Sequence, residues 1–163
     1  MAYEISTTIE IAATPQIVWA VLTDLASYAQ WHPMYQAATG HLAAGSTLTI
    51  TSTHPSTGRA MTAKVKVLTA EPDTELRWTS KMLGLPISER IFRLSPTGDG
   101  TSLEQAGTYR GLGGSRARNT VKTIERIQDS YAEINQAILE QFRAKHIEIP
   151  CPQREVRLLN KAA

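Results

Sequence analysis

His32, Arg90 and Tyr109 are the side chains of this 163-residue chain whose types suit chemistry on a small molecule. His32 stands in LTDLASYAQWHP, between Trp31 and Pro33. Its ordinary pKa lies near neutrality, where a general acid or base works best. Tyr109 offers a hydroxyl as a hydrogen-bond donor or general acid. Arg90 lies in ISERIFRL, where Phe92 and Leu94 mark the apolar face. Alternation then puts Ser88 and Arg90 on that face too. A buried charge without a partner is costly. An inward Arg90 therefore needs a carboxylate or an anionic ligand. The other reading places it near a sheet edge, paired with Glu89 or Glu104 or reaching water. His32 is equally open to a corner role with bonds to backbone, and Tyr109 to a core role.

Other chemistries find little support. The four histidines, His32, His41, His54 and His146, are scattered, so no metal site is expected. No serine sits in a nucleophile-elbow sequence. Glu10, Glu89 and Glu104 fall on outward positions and form no acid pair. GLGGSRAR, residues 111–118, is neither a dinucleotide loop nor a Walker loop, because Arg116 stands where a third glycine would be. It reads as a hinge or lid. Arg116 and Arg118 oppose a helix dipole there. Either the following helix starts later, with Asn119 as its cap, or an anion docks. Cys151 is the one cysteine, and no motif surrounds it. No cofactor, metal or nucleotide is expected.

The elements that must position these residues follow from periodicity. Residues 3–11, YEISTTIEI, alternate, with Tyr3, Ile5, Thr7, Ile9 and Ile11 on one face. AATPQIVWAVL reads as a short helix with Thr14 as cap and Pro15 at the first position. Asp24 is placed to cap a second short helix, LASYAQ, which must end before Pro33. From residue 36 to 111, six short alternating runs are separated by turn residues. TGDGT is a hairpin signal, because Asp-Gly tolerates positive φ. The period then becomes helical at Val121, Ile124, Ile127, Tyr131, Ile134, Ile138 and Phe142, giving one helix of about 27 residues. The expected fold class is α+β: a seven-stranded curved antiparallel sheet wrapped around a long C-terminal helix, with two short helices after the first strand. Residues 1–149 form one domain, and 150–163 form a tail left as extended or frayed.

Bulk composition narrows the partners. Apolar residues make up 42% and charged residues 20%, with net charge +2 and no basic stripe, so nucleic acid is not an expected partner. The N-terminus alternates and does not read as a signal peptide. No apolar run is long enough to span a bilayer, so no membrane insertion is expected. The expected setting is cytoplasmic, as a monomer or homodimer.

IEIAATPQIVWAVLTDLASYAQWHP resembles the opening of the SRPBCC superfamily, which includes START domains, plant pathogenesis-related allergens and polyketide cyclase/dehydrase-like proteins. VKVLTAEPDTELRW and RIFRLSPTGDGTSLEQ continue the resemblance, and the long helix ends it at about residue 145. It implies a helix-grip fold with a deep, mostly apolar cavity for a hydrophobic or aromatic molecule. It supplies no universal catalytic set.

Alternation and the family pattern together turn Met61, Ala63, Val65, Val67, Leu76, Trp78, Ser80, Met82, Ser88, Arg90, Phe92, Leu94, Leu103, Gln105, Gly107 and Tyr109 inward. The expected ligand-binding residues are Trp31, Tyr35, Trp78, Ser80, Met82, Phe92, Gln105, Gly107, Ile127 and Tyr131. Tyr109, His32 and Arg90 are the expected catalytic residues, with Gln105 orienting. Gly107 either leaves cavity space or marks a bulge. Three functions fit: a polyketide cyclase/dehydratase-like enzyme, a carrier or sensor of a hydrophobic ligand, or a protein-interaction module. Polar outward strand faces weigh against the last.

Overall fold

The computed structural model describes residues 2–53, 58–82, 85–110, 117–147 and 155–161. Strand β1 (Ala2–Ile11) leads into α1 (Pro15–Thr23), a 3-10 turn (Leu25–Ser27) and α2 (Tyr28–Trp31). Six strands follow: β2 (Tyr35–Gly40), β3 (Thr47–Thr53), β4 (Ala60–Glu71), β5 (Glu75–Met82), β6 (Leu85–Thr97) and β7 (Gly100–Arg110). Helix α3 (Ala117–Ala144) comes next, then β8 (Glu155–Lys161). The order of two short helices, a meander and one long helix is a helix-grip fold, as the periodicities require.

The strands form one antiparallel sheet in the order β2-β3-β4-β5-β6-β7-β1-β8. The tail that showed no clear period supplies the eighth strand, which pairs with β1 from Ala2–Lys161 to Thr8–Glu155. An edge strand can be held by main-chain hydrogen bonds alone and so needs no alternating pattern. Bulges fall between Tyr35 and Ala37, Val67 and Thr69, and Ser80 and Lys81. Bulges bend strands and raise their twist, which helps the sheet curve.

The β6–β7 hairpin forms with Thr97 paired to Gly100 across Gly98 and Asp99. Its expected reason does not hold, since neither loop residue has positive φ. Gly100 matters through close approach instead: a Cβ there would collide with the Ile11 carbonyl. Thr14 does occupy the N-cap of α1, with Pro15 in the first turn, but its side chain makes no capping bond. Helix α3 begins at Ala117, ahead of Asn119, so Asn119 is not its cap.

Helix α3 crosses the concave face unevenly. Ile134, Ile138, Leu139 and Phe142 join the main core with Ile9, Leu22, Val67, Leu76, Phe92 and Leu103. Burying each such side chain contributes about 1.5–3 kcal/mol. Toward its N-terminal end, Ile127 and Tyr131 pack with Ile5 in a separate small cluster, against which Tyr109 lies. A pocket opens beside that cluster. The side chains of Val121 and Ile124, the segment 111–116 and Cys151 lie outside the described residues. Among the described residues, no helix is long and apolar enough to cross a membrane.

Candidate functional site

Cross-strand register builds the site in rows across β5, β6, β7 and β1. The outermost row is Ser80, Ser88, Tyr109 and Tyr3. The next is Trp78, Arg90, Gly107 and Ile5, and then Leu76, Phe92, Gln105 and Thr7. Polar groups thus concentrate toward one end of the concave face, and apolar ones toward the core. The pocket there has a volume of about 250 Å³. Ser80, Ser88, Arg90, Tyr109 and Ser130 give it a polar side. Ile50, Met61, Ala63, Val65, Trp78 and Ile127 give it an apolar side. Apolar walls with a few placed polar groups are the usual composition of a small-molecule site.

Arg90 is 8% exposed and lies in the pocket wall. Its Nη1 donates to the Tyr35 hydroxyl at 3.3 Å. Its guanidinium carbon lies 4.8 Å from the Tyr131 ring centre and 5.9 Å from that of Tyr35, within range of cation–π attraction. Burial works against the charge, yet the oxygens of Tyr35, Tyr131 and Tyr109 hold the guanidinium above its usual value, so it stays protonated. Burial pushes the Tyr35 and Tyr131 hydroxyls up, with Arg90 pulling the other way, so both stay neutral at pH 7. The Tyr109 and Tyr131 hydroxyls are 3.2 Å apart. Ser80 and Ser88 share a hydrogen bond across β5 and β6.

The edge and acid-pair readings of Arg90 fail for a geometric reason. Glu89 pairs with Arg77 at 3.5 Å, and Glu104 with Arg93 at 3.0 Å. Glu75 joins both arginines at 3.1 Å. This network occupies positions one residue out of step with the inward rows, with Glu89 also bordering the pocket. Among the described residues, no carboxylate pairs with Arg90.

His32 is held behind Tyr35. The two rings stack at 3.9 Å with planes 2° apart. His32 Nδ1 accepts the backbone N–H groups of Met34 at 3.2 Å and Tyr35 at 3.1 Å. That leaves the proton on Nε2, which has no partner among the described residues. Burial, then the charge of Arg90, lowers its pKa well below the ordinary value. His32 thus has its Nδ1 committed to backbone at the corner and lies outside the pocket lining. Trp31 donates through Nε1 to Ser27 at 3.1 Å and packs edge-on against Tyr28. The Trp-His-Pro corner thus fastens the start of β2 and fixes Tyr35.

Of the residues expected at the site, Tyr35, Trp78, Ser80, Arg90, Tyr109 and Ile127 line the pocket. Trp31, His32, Phe92, Gln105, Gly107 and Tyr131 are not among its lining. Gly107 neither opens ligand space nor marks a bulge: a Cβ there would collide with the Tyr131 hydroxyl. Gln105 donates to Asn135 Oδ1 at 3.4 Å, and Asn135 donates to Thr7 at 2.8 Å, a buried polar link between sheet and helix. Met82 lies at the end of β5, and its side chain is outside the described residues. Met61, expected inward, is 44% exposed at the pocket.

Met34, Ile50, Ser52 and Ser130 also line the pocket and were missed, and Glu89, expected on an outward position, lines it too. Alternation in TLTITST puts Leu48, Ile50 and Ser52 on one face, a signal that finds two of them. Ser130 follows Ile127 by three positions on the inward stripe of α3, and its hydroxyl donates to the Ile127 carbonyl at 2.6 Å. A second, more open groove of about 730 Å³ runs beside Trp19, Leu25, Ala38, Leu42 and Pro72. It is larger, but it holds no buried charge.

Comparison with known proteins agrees with this architecture. Protein NE0264 from Nitrosomonas europaea has 19% identity and a TM-score of 0.63, over 86% of this chain and 96% of that one. Protein Ms6760 from Mycobacterium smegmatis has 18% identity and a TM-score of 0.66, over 88% and 92%. The di-domain ARO/CYC StfQ from the steffimycin biosynthetic pathway has 12% identity and a TM-score of 0.69, over 89% of this chain and 53% of that one. These likenesses establish the fold. No curated protein matches the sequence. A family model described as polyketide cyclase/dehydrase and lipid transport matches residues 2–142, and the chain belongs to that SRPBCC family.

Proposed function

We propose that the chain binds a hydrophobic or aromatic small molecule in the pocket between β3–β7 and α3, and acts on it as a cyclase/dehydratase-like enzyme. The observation that carries this reading is Arg90 buried in the pocket wall beside the Tyr109 hydroxyl, facing an apolar side. In such a reaction Arg90 stabilises negative charge developing on a substrate oxygen. Tyr109 gives its proton to a leaving hydroxyl as the C–O bond breaks and water departs. The proton of the neighbouring C–H bond, whose electrons form the new double bond, returns to the Tyr109 oxygen. Most of the acceleration comes from holding a flexible chain in a reactive geometry away from solvent. His32 acts through Tyr35, as a positioning residue. Family membership supports this class, and StfQ is an ARO/CYC protein of the same fold.

A carrier or sensor is the second reading. It is favoured by the protonation of the site, since burial holds the Tyr35 and Tyr131 hydroxyls neutral and lowers His32 behind them. Neither these two tyrosines nor His32 is then tuned to neutral pH as a base. The test is native mass spectrometry of protein purified from its own source, then denaturing extraction of whatever is bound. A released apolar molecule that changes mass on incubation with fresh protein, but not with Tyr109→Phe, supports the enzyme. Recovery of the same molecule unchanged supports the carrier. Protein that never holds a small molecule overturns both.

A further inference from the structure

We infer that the ligand of this pocket is a carboxylic acid with a compact body of one or two rings, its carboxylate on Arg90 and its rings against Trp78, Val65 and Ile50. This rests on the reading that the pocket is the ligand site. Three observations carry it. First, Arg90 is a permanent charge at 8% exposure, and isolated buried charges are strongly disfavoured unless paired. Second, its surroundings supply oxygens and rings but no opposite charge. Tyr35, Tyr109 and Tyr131 are phenols, and burial keeps Tyr35 and Tyr131 protonated. The acids nearest in sequence already have partners, Glu89 in Arg77 and Glu104 in Arg93. The guanidinium fork suits a carboxylate, which completes the charge balance when it arrives.

Third, the space is small. About 250 Å³ lies below the usual range of roughly 300–1,000 Å³ for drug-sized ligands. The polar side carries hydroxyls at Ser80, Ser88 and Tyr109, which suit further oxygens beside the acid. The opposite side is apolar at Ile50, Ala63 and Val65, where a ring system sits without losing hydrogen bonds. A molecule with an acid at one end and one or two rings at the other fits both sides.

The test is calorimetric titration of the full chain near neutral pH with 2-naphthoic acid, its neutral counterpart 2-naphthalenemethanol, and a four-ring carboxylic acid. The expected result is that naphthoate binds at least ten-fold tighter than the alcohol. Arg90→Met should remove that preference while the alcohol binds as before, and Arg90→Lys should keep part of it. Equal affinity for acid and alcohol overturns the inference and leaves the pocket reading intact. Equal affinity for the four-ring acid overturns the size limit alone. If none of the probes binds, both the inference and the pocket reading fail. Should Arg90→Met not fold, the acid–alcohol comparison on the unaltered chain and on Arg90→Lys decides.

Discussion

Neutral His32 accepts two backbone N–H bonds through Nδ1, and a proton on that atom would break both. The groups facing the ring are Tyr28 and Tyr35, which are stacked on it, and the Arg90 charge, which opposes its protonation. The folded-state pKa therefore lies below the ordinary 6.5. Between the two values the unfolded chain binds more protons than the folded one. Stability is full above the unfolded pKa and falls as pH drops below it, by up to about 1.4 kcal/mol per pH unit. Asn can present an amide oxygen where Nδ1 stands, but it cannot take a proton. Urea denaturation across this range should show His32→Asn with a flatter acid slope than the unaltered chain. Equal slopes would remove His32 as the titrating group. Gly107→Ala should cost about 1–3 kcal/mol by driving a methyl into the Tyr131 hydroxyl, and Tyr131→Phe should relieve part of that cost in a double-mutant cycle. Additive effects would contradict the contact. The inward face of Arg90 was legible from Phe92 and Leu94 alone. Its lack of an acid was not, because Glu89 and Glu104 find Arg77 and Arg93 through cross-strand register, which one strand's sequence does not encode.

At the scale of elements, α3 is tied to the sheet by a polar bond chain as well as by its apolar stripe. Asn135 joins Gln105 on β7 to Thr7 on β1, all three buried. Asn135→Ala should destabilise the fold by about 1–3 kcal/mol, since it strands polar atoms of both partners away from water. Thermal denaturation with a loss well below that range would mean that water replaces the amide. Periodicity marked the seven strands β1–β7 and the long helix because each buries one face. It did not mark Asn135, which sits on the inward side of a helix read by its apolar steps. Nor did it mark β8, whose pairing with β1 is a main-chain property. The hairpin at Gly98–Asp99 was found by composition, although its φ values differ from those that composition favours. Tight packing of Gly100 on Ile11 is a tertiary demand that local sequence does not show.

Across the whole molecule, packing is polarised. The C-terminal half of α3 fills the concave face with Ile134, Ile138, Leu139 and Phe142, while the stretch around Ile127 and Ser130 borders a pocket. The aromatic corner of Tyr28, Trp31, His32 and Tyr35 braces that end. The central claim is that this pocket, and not the larger groove beside Trp19 and Leu42, takes the small molecule. The direct measurement is NMR of isotopically labelled protein titrated with 2-naphthoate. The account predicts saturable shifts at Ala63, Val65, Arg90 and Ile127, with Trp19 and Thr39 unmoved. Shifts confined to Trp19, Thr39 and Leu42, or no saturable shift anywhere, would contradict it.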